Sequence, residues 1–333
     1  MIRSVREFAT STNATAPRVR AGSRRIEAVD DHAGAAVARR RIGRLLADLR
    51  AKATNPDGSP ITAEQAAAHI ERARPTYYKM EHGLPGVVIK RLEVQGLCDL
   101  FGATDEQRRT LLALAEVSKV KGWFHPYSDI LPTNFDIYIG LEQAASAIIA
   151  YEAERVHGLL QTEDYAREML RIPGTDGRIR DNAEIERRVQ VRMRRQEVLT
   201  RDVEPTHMEW IVGQSVLLRP TASPAVMAKQ LLHIITLSEL PNVSVCVVPF
   251  DAGLHQGIVT GPFAMLRFAD NSEPPTVYVD GFMGHLLVNK PAEVDRFESV
   301  ITAIRSCALN KTASKKIIHQ RANELSGVPG SHD

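Results

Sequence analysis

The chain has 333 residues, about two domains of ordinary size. Its composition, 44% hydrophobic and 25% charged, is that of a globular protein and excludes a wholly disordered or collagen-like chain. No apolar run reaches the roughly 18 residues that cross a bilayer, and residues 1–30 lack the apolar segment of a secretory signal peptide, so we expect a cytoplasmic protein that binds no membrane. The isolated cysteines Cys98, Cys246 and Cys307 favour neither a disulfide framework nor a zinc site.

The charge is unevenly distributed along the chain. The net charge is +2, but residues 1–90 hold 16 Lys and Arg against 9 Asp and Glu, whereas the remaining 243 residues hold 26 against 31. The N-terminal quarter is therefore the part that a polyanion such as DNA would attract.

Residues 1–36 carry Ser, Thr, Asn, Ala and scattered Arg with almost no apolar periodicity. This composition predicts a flexible basic arm. Two roles stay open for it, a solvated tail or an arm that adds phosphate or minor-groove contacts.

Residues 37–121 predict a domain of five helices. The first begins near Val37 and ends before the loop 54–60, which combines Asn, Pro, Asp, Gly and Ser. Its apolar face consists of Ile42, Leu45, Leu46, Leu49 and Ala53. The fourth and fifth helices are predicted at about residues 89–101 and 104–121, and a capping box at Thr104 opens the fifth.

Two shorter helices lie between them. Thr62-Ala63-Glu64-Gln65 predicts a capping box at the start of the second helix, which runs through Ile70. The third is predicted at about Arg74 to His82, with Pro75 in its first turn and Gly83 at its end. Tyr77 and Met80 form its inward face.

Two short helices joined by about four residues and packed on a longer one are typical of a helix-turn-helix, whose second helix enters the DNA major groove. A compact helical bundle can produce the same pattern, but the basic N-terminal quarter favours DNA binding. The candidate DNA-binding residues offer polar groups to base edges and phosphates. They are Thr62, Gln65, Arg74, Thr76, Tyr78 and Lys79.

Residues 61–70 and 74–83 resemble the XRE (Cro/C1-type) helix-turn-helix, whose recognition helix ends in an Ile-Glu-x-Gly-like signature, here Met80-Glu81-His82-Gly83. The segments 122–127, 158–166, 195–199 and 240–243 are similar to the uncharacterised domain that follows this module in many actinomycete regulators. That domain is often described as antitoxin-like and is frequently paired with a small partner protein encoded nearby. The resemblance covers about residues 37–310.

Four positions depart from the family pattern. Ala63 stands where many XRE proteins have a Gln that contacts both the DNA phosphate and the recognition helix. Glu71 is at the position where the turn usually has a glycine. The loop 54–60 is longer than usual, and His157 stands where proline is expected.

The second half predicts an α+β domain at residues 136–325, preceded by an aromatic and proline-rich connector at 122–135 and followed by a frayed tail at 326–333. Helices are predicted at about 138–155, 162–171 and 181–200, then from Ser223-Pro224 and from Pro291. Strands are predicted at 207–213, 243–249, 258–268, 276–280 and 285–288. The fold class is therefore α+β overall, with an all-α five-helix N-terminal domain.

This half carries no recognisable catalytic, metal or cofactor motif, so we expect a non-enzyme with no cofactor. His125, His157, His255 and His285 are interpreted as hydrogen-bonded or exposed imidazoles. We expect the aromatic side chains of Trp123, Phe124 and Tyr127 to pack between two domains rather than to form an aromatic cage around a ligand.

Two polar sets remain in the second half. The first is the basic run Arg187, Arg188, Arg192, Arg194 and Arg195, interpreted as a solvated helix face in preference to a nucleic-acid surface. The second set, Glu142, Glu152, Gln161 and Tyr165, would bring polar groups to apolar walls in a cleft between the sheet and the helices around 141–170. It gives the candidate ligand-binding residues.

The sequence therefore predicts a sequence-specific DNA-binding transcriptional regulator whose C-terminal domain senses a ligand or binds a small partner protein. Because one short module makes few contacts, we expect a homodimer on a pseudo-palindromic operator in double-stranded DNA, with recognition helices about 34 Å apart. The alternative is an antitoxin-like interaction module in which DNA binding is secondary. An enzyme with an unfamiliar site is the least favoured, because no nucleophile and base occur at a recognisable spacing.

Overall fold

The computed structural model describes residues 23–84, 86–120, 122–132, 135–173, 177–220, 223–269, 273–281 and 284–327, with side chains from residue 34 onward. Most of the predicted arm and most of the predicted tail lie outside these ranges.

The N-terminal region contains five helices, as predicted. They are α1 (Ser23–Lys52), α2 (Ala63–His69), α3 (Arg74–Glu81), α4 (Arg91–Leu100) and α5 (Asp105–Val117). One core joins them, in which Ile42, Leu46, Tyr77, Leu97 and Leu111 are each at most 1% exposed. The predicted apolar stripe of the first helix therefore faces this core.

Helix α1 begins well before Val37, so the prediction that residues 23–36 belong to a flexible arm was wrong. The cause is tertiary packing. Ala35, Ala36 and Ala38 are buried, and a Cβ placed on Gly140 would lie 2.5 Å from the Cβ of Ala36. Small residues carry little hydrophobic periodicity, but they let α1 approach the helix that contains Gly140 closely enough to be stabilised by it.

The C-terminal region combines helices with a sheet, so the α+β prediction is confirmed. Its helices are α6 (Phe135–Ala144), α7 (Glu163–Arg171), α8 (Asn182–Arg195), α9 (Ser215–Leu218), α10 (Pro224–Leu237), α11 (Gln256–Thr260), α12 (Pro291–Cys307) and α13 (Lys311–Ser326). Its strands are β1 (Ala147–Glu152), β2 (His207–Gly213), β3 (Val243–Val248), β4 (Phe263–Arg267), β5 (Thr276–Gly281) and β6 (Gly284–Val288).

The six strands form one mixed sheet in the order β3-β2-β1-β4-β5-β6. Strands β1, β2 and β3 are parallel, and β4, β5 and β6 continue the sheet in antiparallel fashion from β1. Helices α6, α10 and α13 cover one face, and α12 covers the other. Both faces are therefore buried around β1.

Two secondary-structure predictions in this region were wrong. Residues 147–152, predicted as the end of a helix, form β1, which is buried on both faces, and a continuous apolar run does not distinguish such a strand from a helix. Residues 258–260, the start of the strand predicted at 258–268, belong instead to α11, which His255 caps by accepting a hydrogen bond from the Gly257 N–H. The other predicted strands are confirmed to within a few residues.

Candidate DNA-binding surface and ligand cavity

The capping box at the start of α2 is present as predicted. The Thr62 hydroxyl accepts a hydrogen bond from the Gln65 N–H at 3.2 Å, and Gln65 Oε1 accepts one from the Thr62 N–H at 2.8 Å. Both side chains are exposed, at the entrance to the helix-turn-helix. The box satisfies two helix-end donors and fixes where α2 begins.

Helix α3 is held against α1 at its C-terminal end. Arg50 on α1 donates to both carboxylate oxygens of Glu81, at 2.7 and 3.2 Å, and Tyr77 donates to the same carboxylate at 3.1 Å. A Cβ on Gly43 of α1 would lie 2.4 Å from the carbonyl oxygen of Glu81. Gly83 has φ +61°, and a Cβ there would lie 2.7 Å from the Cα of Arg40. The signature at 80–83 therefore seats α3 on α1.

The opposite face of α3 is turned to solvent. Arg74, Tyr78 and Lys79 are exposed and Thr76 is half-buried, whereas Tyr77 and Met80 are buried as predicted. Arg74 forms an exposed ion pair with Glu64 at 2.6 Å. Because a solvent-exposed ion pair is weak, Arg74 remains available to a polyanion.

The turn between α2 and α3 uses a left-handed backbone at Glu71, whose φ is +54°. This is the position of the usual turn glycine. A non-glycine residue in this region costs about 1 to 2 kcal/mol, so the turn keeps its shape under local strain.

A second candidate site is a cavity of about 440 Å³ in the C-terminal region. Its lining comes from the end of β1 and the loop after it, from the inward face of α8, from the start of α6 and from the ends of β5 and β6. The volume is in the range of small-molecule sites.

The four candidate ligand-binding residues gather around this cavity in two layers. Glu152 and Gln161 line it. Glu142 and Tyr165 lie behind the lining. The Glu142 carboxylate is fully buried, and the Tyr165 hydroxyl accepts a hydrogen bond from the Val156 N–H at 3.2 Å.

The solvated-face interpretation of the basic run was wrong for three of its five arginines. Arg188, Arg192 and Arg195 line the cavity, while Arg187 and Arg194 lie outside it. The three are spaced i, i+4 and i+7, which places them on one face of α8. The spacing is present in the sequence, but it is lost when the five arginines are taken as one basic run.

Most cavity arginines have carboxylate partners. Arg195 donates from Nε and Nη2 to the two oxygens of Glu142, each at 2.7 Å. Arg155 pairs with Glu152 at 3.4 Å and with Asp280 at 3.0 Å. These pairs are in place before any ligand arrives.

Two further arginines share one acid on α8. Glu184 pairs with Arg188 at 2.8 Å and with Arg180 at 3.8 Å. Arg180 also donates to the carbonyl oxygens of Leu170 and Ile172. Its guanidinium thereby links Glu184 of α8 to the C-terminal end of α7 and to the residue that follows it.

Arg192 differs from the other four cavity arginines. Its Nη1 donates to Gln161 Oε1 at 2.9 Å, and no carboxylate of the described chain pairs with it. The Gln161 amide nitrogen donates to the Val156 carbonyl oxygen at 2.6 Å, which turns the amide oxygen towards Arg192. Burial, and then Arg195 and Arg155, lower the pKa of Arg192 to about 9.

Two titratable groups near these arginines have strongly shifted pKa values. Burial raises the pKa of Glu152 to about 7, and Arg155 only partly opposes this shift. Burial, followed by the charges of Arg195, Arg155 and Arg192, lowers the pKa of His157 to about 3, so the imidazole is neutral. His157 Nδ1 accepts a hydrogen bond from the Leu159 N–H at 3.3 Å, in agreement with its structural interpretation.

An aromatic wall completes the cavity. The rings of Tyr138 and Tyr278 lie 4.1 Å apart between centroids, and Phe135 and His285 flank them. The guanidinium of Arg195 lies over Phe135 and Tyr138 at 5.1 and 5.4 Å. One wall is thus aromatic, with cations on the adjoining wall.

The connector aromatics pack outside the cavity. Trp123, Phe124 and Tyr127 form a cluster with Ile139 of α6 and Val191 of α8. They therefore fasten the connector to the C-terminal region, which favours the packing role over a ligand cage.

The two candidate sites are joined through α1. Arg40 and Arg44 pair with the fully buried Glu273 at 3.1 and 2.5 Å, and Arg40 donates to the Thr276 hydroxyl at 3.2 Å. Thr276 begins β5, which carries the cavity residue Tyr278. The helix that seats α3 thus contacts a strand of the cavity wall.

Comparison with protein families gives two matches. A model described as a helix-turn-helix domain matches residues 41–111, which include α2 and α3. A model described as a domain of unknown function, DUF5753, matches residues 135–320, more than half of the chain. The chain belongs to the DUF5753 family. Searches of curated proteins and of solved structures found no match.

The cavity lies within the DUF5753 domain, apart from its rim at Leu131 and Pro132. In the ranges that the structure describes, no cluster of His, Cys, Asp or Glu could hold a metal ion. No helix among the described residues is long and apolar enough to span a membrane.

Proposed function

We propose that this helix-turn-helix protein is a sequence-specific transcriptional regulator of the XRE type, with α3 as its recognition helix. The observation that carries the proposal is the two-sided character of α3. Tyr77 and Met80 fix the helix to the core, while Arg74, Tyr78 and Lys79 point away from it. Arginine, lysine and tyrosine are suited to phosphate and base-edge contacts in the major groove.

The operator is a pseudo-palindrome bound by a homodimer. One α3 of eight residues offers few base contacts, and specific sites usually require affinities of about 10⁻⁸ to 10⁻¹¹ M. Two-fold pairing would place two recognition helices about 34 Å apart, one helical turn of DNA.

The DUF5753 domain acts as the sensor in this proposal. Its support is the cavity, which combines buried charge with an aromatic wall and adjoins the strand contacted by Arg40. A ligand there could alter how α1 holds α3, and through it the affinity for DNA.

The first experiment is capture of genomic fragments by the purified protein at about 150 mM salt, followed by sequencing. We expect one inverted repeat to be enriched by the unmodified protein and lost in the Arg74→Ala/Lys79→Ala variant. Each single substitution should weaken operator binding by roughly 1 to 3 kcal/mol if the side chain contacts a base, and should flatten the salt slope by about one if it contacts only phosphate.

The matched control is Arg109→Ala/Lys119→Ala, which removes the same charge from α5 and from the turn after it. This variant should retain the enriched motif. If both double variants lose the enriched motif equally, the binding depends only on non-specific charge attraction. If both retain it, the recognition surface lies outside α3.

A second candidate function is the antitoxin-like interaction module, and an apolar surface favours it. Phe250, Leu254, Ile258 and Val259 lie within ten residues of one another, and Leu254 and Val259 are 93% and 91% exposed. Exposed apolar side chains of this kind mark contact sites. Co-expression with a candidate small protein, if one is encoded nearby as the family resemblance implies, tests it. A stable complex that Leu254→Asp/Val259→Asp abolishes, without loss of DNA binding, would favour this function.

A further inference from the structure

We propose that the cavity binds a small organic oxyanion, a phosphate or a carboxylate carried on an aromatic ring, with Arg192 as its principal anchor. This inference assigns a ligand class to the proposed sensor and rests on that function for its biological role. The binding itself is testable without DNA.

The balance of charge identifies the anchor. Five arginines line the cavity, and four carboxylates pair with four of them: Glu142 with Arg195, Glu152 and Asp280 with Arg155, and Glu184 with Arg180 and Arg188. Arg192 is the remaining cation, and its hydrogen-bond acceptor among the described residues is a neutral amide.

The geometry of Arg192 suits an oxyanion. A guanidinium carries five N–H donors in a planar fork that matches the oxygens of a carboxylate or phosphate. Gln161 occupies one nitrogen, and the side chain lines the cavity, so further donors face the empty volume. An anion there would relieve the repulsion between Arg192 and its neighbours Arg195 and Arg155.

The neighbouring pairs keep this charge available. The two oxygens of Glu142 accept hydrogen bonds from Arg195, and the amide nitrogen of Gln161 donates to the Val156 carbonyl oxygen. His157 is neutral and does not compete as a second cation. These contacts orient the polar wall without neutralising Arg192.

The aromatic wall and the volume define the rest of the ligand. Phe135, Tyr138, Tyr278 and His285 provide ring surfaces against which a planar group can pack. About 440 Å³ accommodates a small molecule but not a folded segment or a DNA helix. A macromolecular polyanion is therefore not the occupant.

Calorimetric titration of the full chain at constant ionic strength tests the proposal, with inorganic phosphate, phenyl phosphate and phenol as probes. We expect phenyl phosphate to bind at least tenfold more tightly than inorganic phosphate, and phenol not to bind. Arg192→Gln should weaken phenyl phosphate binding at least tenfold. Arg192→Lys, which keeps the charge and loses the fork, should give an intermediate affinity.

The matched control is Arg194→Gln, the same charge change on an exposed residue of the same helix outside the cavity. It should bind phenyl phosphate as the unmodified protein does. Thermal unfolding without ligand should show Arg192→Gln to be at least as stable as the unmodified protein, because an uncompensated cation is removed. A markedly less stable Arg192→Gln, together with unchanged anion binding by Arg192→Lys, would make Arg192 a structural residue and overturn the proposal.

Equal binding of phenyl phosphate by the unmodified protein and Arg192→Gln would also overturn it, as would no binding of either anion. Loss of DNA binding in Arg192→Gln with no small-anion binding would instead assign this face to nucleic acid. The regulator function can be contradicted independently of the anion site: phenyl phosphate would then bind at Arg192, but the fragment capture would yield no operator.

Discussion

The two candidate sites hold their positive charge in opposite ways. On α3, Arg74 and Lys79 project into solvent, and the ion pair of Arg74 with Glu64 is exposed on both sides. In the DUF5753 domain, Arg195 and its partner Glu142 are 7% and 0% exposed. An outward helix can follow an extended polyanion, whereas a partly enclosed cavity selects a small anion by size and charge.

Because of this difference, charge substitutions on α3 should affect mainly DNA binding, whereas those at the buried pairs of the cavity should affect mainly stability. Removing an exposed charge changes long-range attraction but leaves the fold nearly unchanged. Removing one member of a buried pair leaves a charge without a partner in a poorly solvated place. Substitutions in the two regions should therefore fail in different assays.

The largest expected effect is from Glu142→Gln, which leaves Arg195 buried without its carboxylate. We expect the free energy of unfolding to fall by about 3 to 5 kcal/mol in chemical denaturation. Asp129→Asn, which breaks the exposed pair with Arg187, is the control and should leave the free energy of unfolding nearly unchanged. Similar losses in both variants would contradict the distinction between the two regions.

Gly83→Ala tests whether one residue of the N-terminal region affects both stability and DNA binding. The added Cβ would meet the Arg40 backbone at a left-handed φ, so we expect a loss of about 1 to 3 kcal/mol in stability and weaker operator binding. Gly58→Ala is the control, since φ there is +84° but a Cβ meets nothing within 4 Å. If Gly58→Ala lowers the free energy of unfolding by less than Gly83→Ala does, the difference comes from the contact of the added Cβ with α1.

Glu71→Gly should raise stability by about 1 kcal/mol, because glycine adopts φ +54° without strain. Thermal unfolding measures the change. Ala113→Gly is the comparison, because it places glycine at an exposed position in the interior of helix α5 and should lower stability by about 1 kcal/mol. A lower melting temperature for Glu71→Gly would mean that the Glu71 side chain stabilises the turn by more than the strain costs.

The smallest expected effect concerns pH and Glu152. Its folded-state pKa, about 7, lies above the ordinary value of 4.5, so the folded protein holds a proton that the unfolded chain has released between these values. The contribution of Glu152 to stability is therefore full below pH 4.5 and is lost as the pH rises towards 7.

The same ionisation adds negative charge beside Arg155 in the cavity lining, so an anion should bind more weakly above pH 7. Sulfate is the suitable probe, because it stays fully ionised over this range. We expect its affinity to fall between pH 6 and pH 8 in the unmodified protein, and the fall to be smaller in Glu152→Gln. If sulfate affinity depends on pH in the same way in both proteins, the ionisation of Glu152 does not affect anion binding in the cavity.

Much of the N-terminal region could be predicted from the sequence because its signals are local. Capping boxes at Thr62 and Thr104, the turn residues at 54–60 and the inward spacing of Tyr77 and Met80 each act within a few residues. The early start of α1 could not be predicted, since Ala35 and Ala36 are buried by a helix about 100 residues away in sequence.

The cavity was predictable only in outline. Of the residues predicted to line a cleft, Glu152 and Gln161 line this cavity, whereas three arginines of α8 that were predicted to face solvent line it as well. Local periodicity identifies which residues share a helix face, here Arg188, Arg192 and Arg195. Which face is buried, and which arginine lacks a carboxylate, depends on residues such as Glu142 that are distant in sequence.

The sequence by itself determined the helix-turn-helix, its polar surface and the α+β class, because capping, turn chemistry and apolar spacing operate over one or two helical turns. The tertiary structure alone decided that α1 joins both regions and that Arg192 is the one of the five cavity arginines that pairs with no carboxylate of the described residues. The physical reason is that burial and charge pairing are properties of the assembled fold, in which each side chain's environment comes from distant segments.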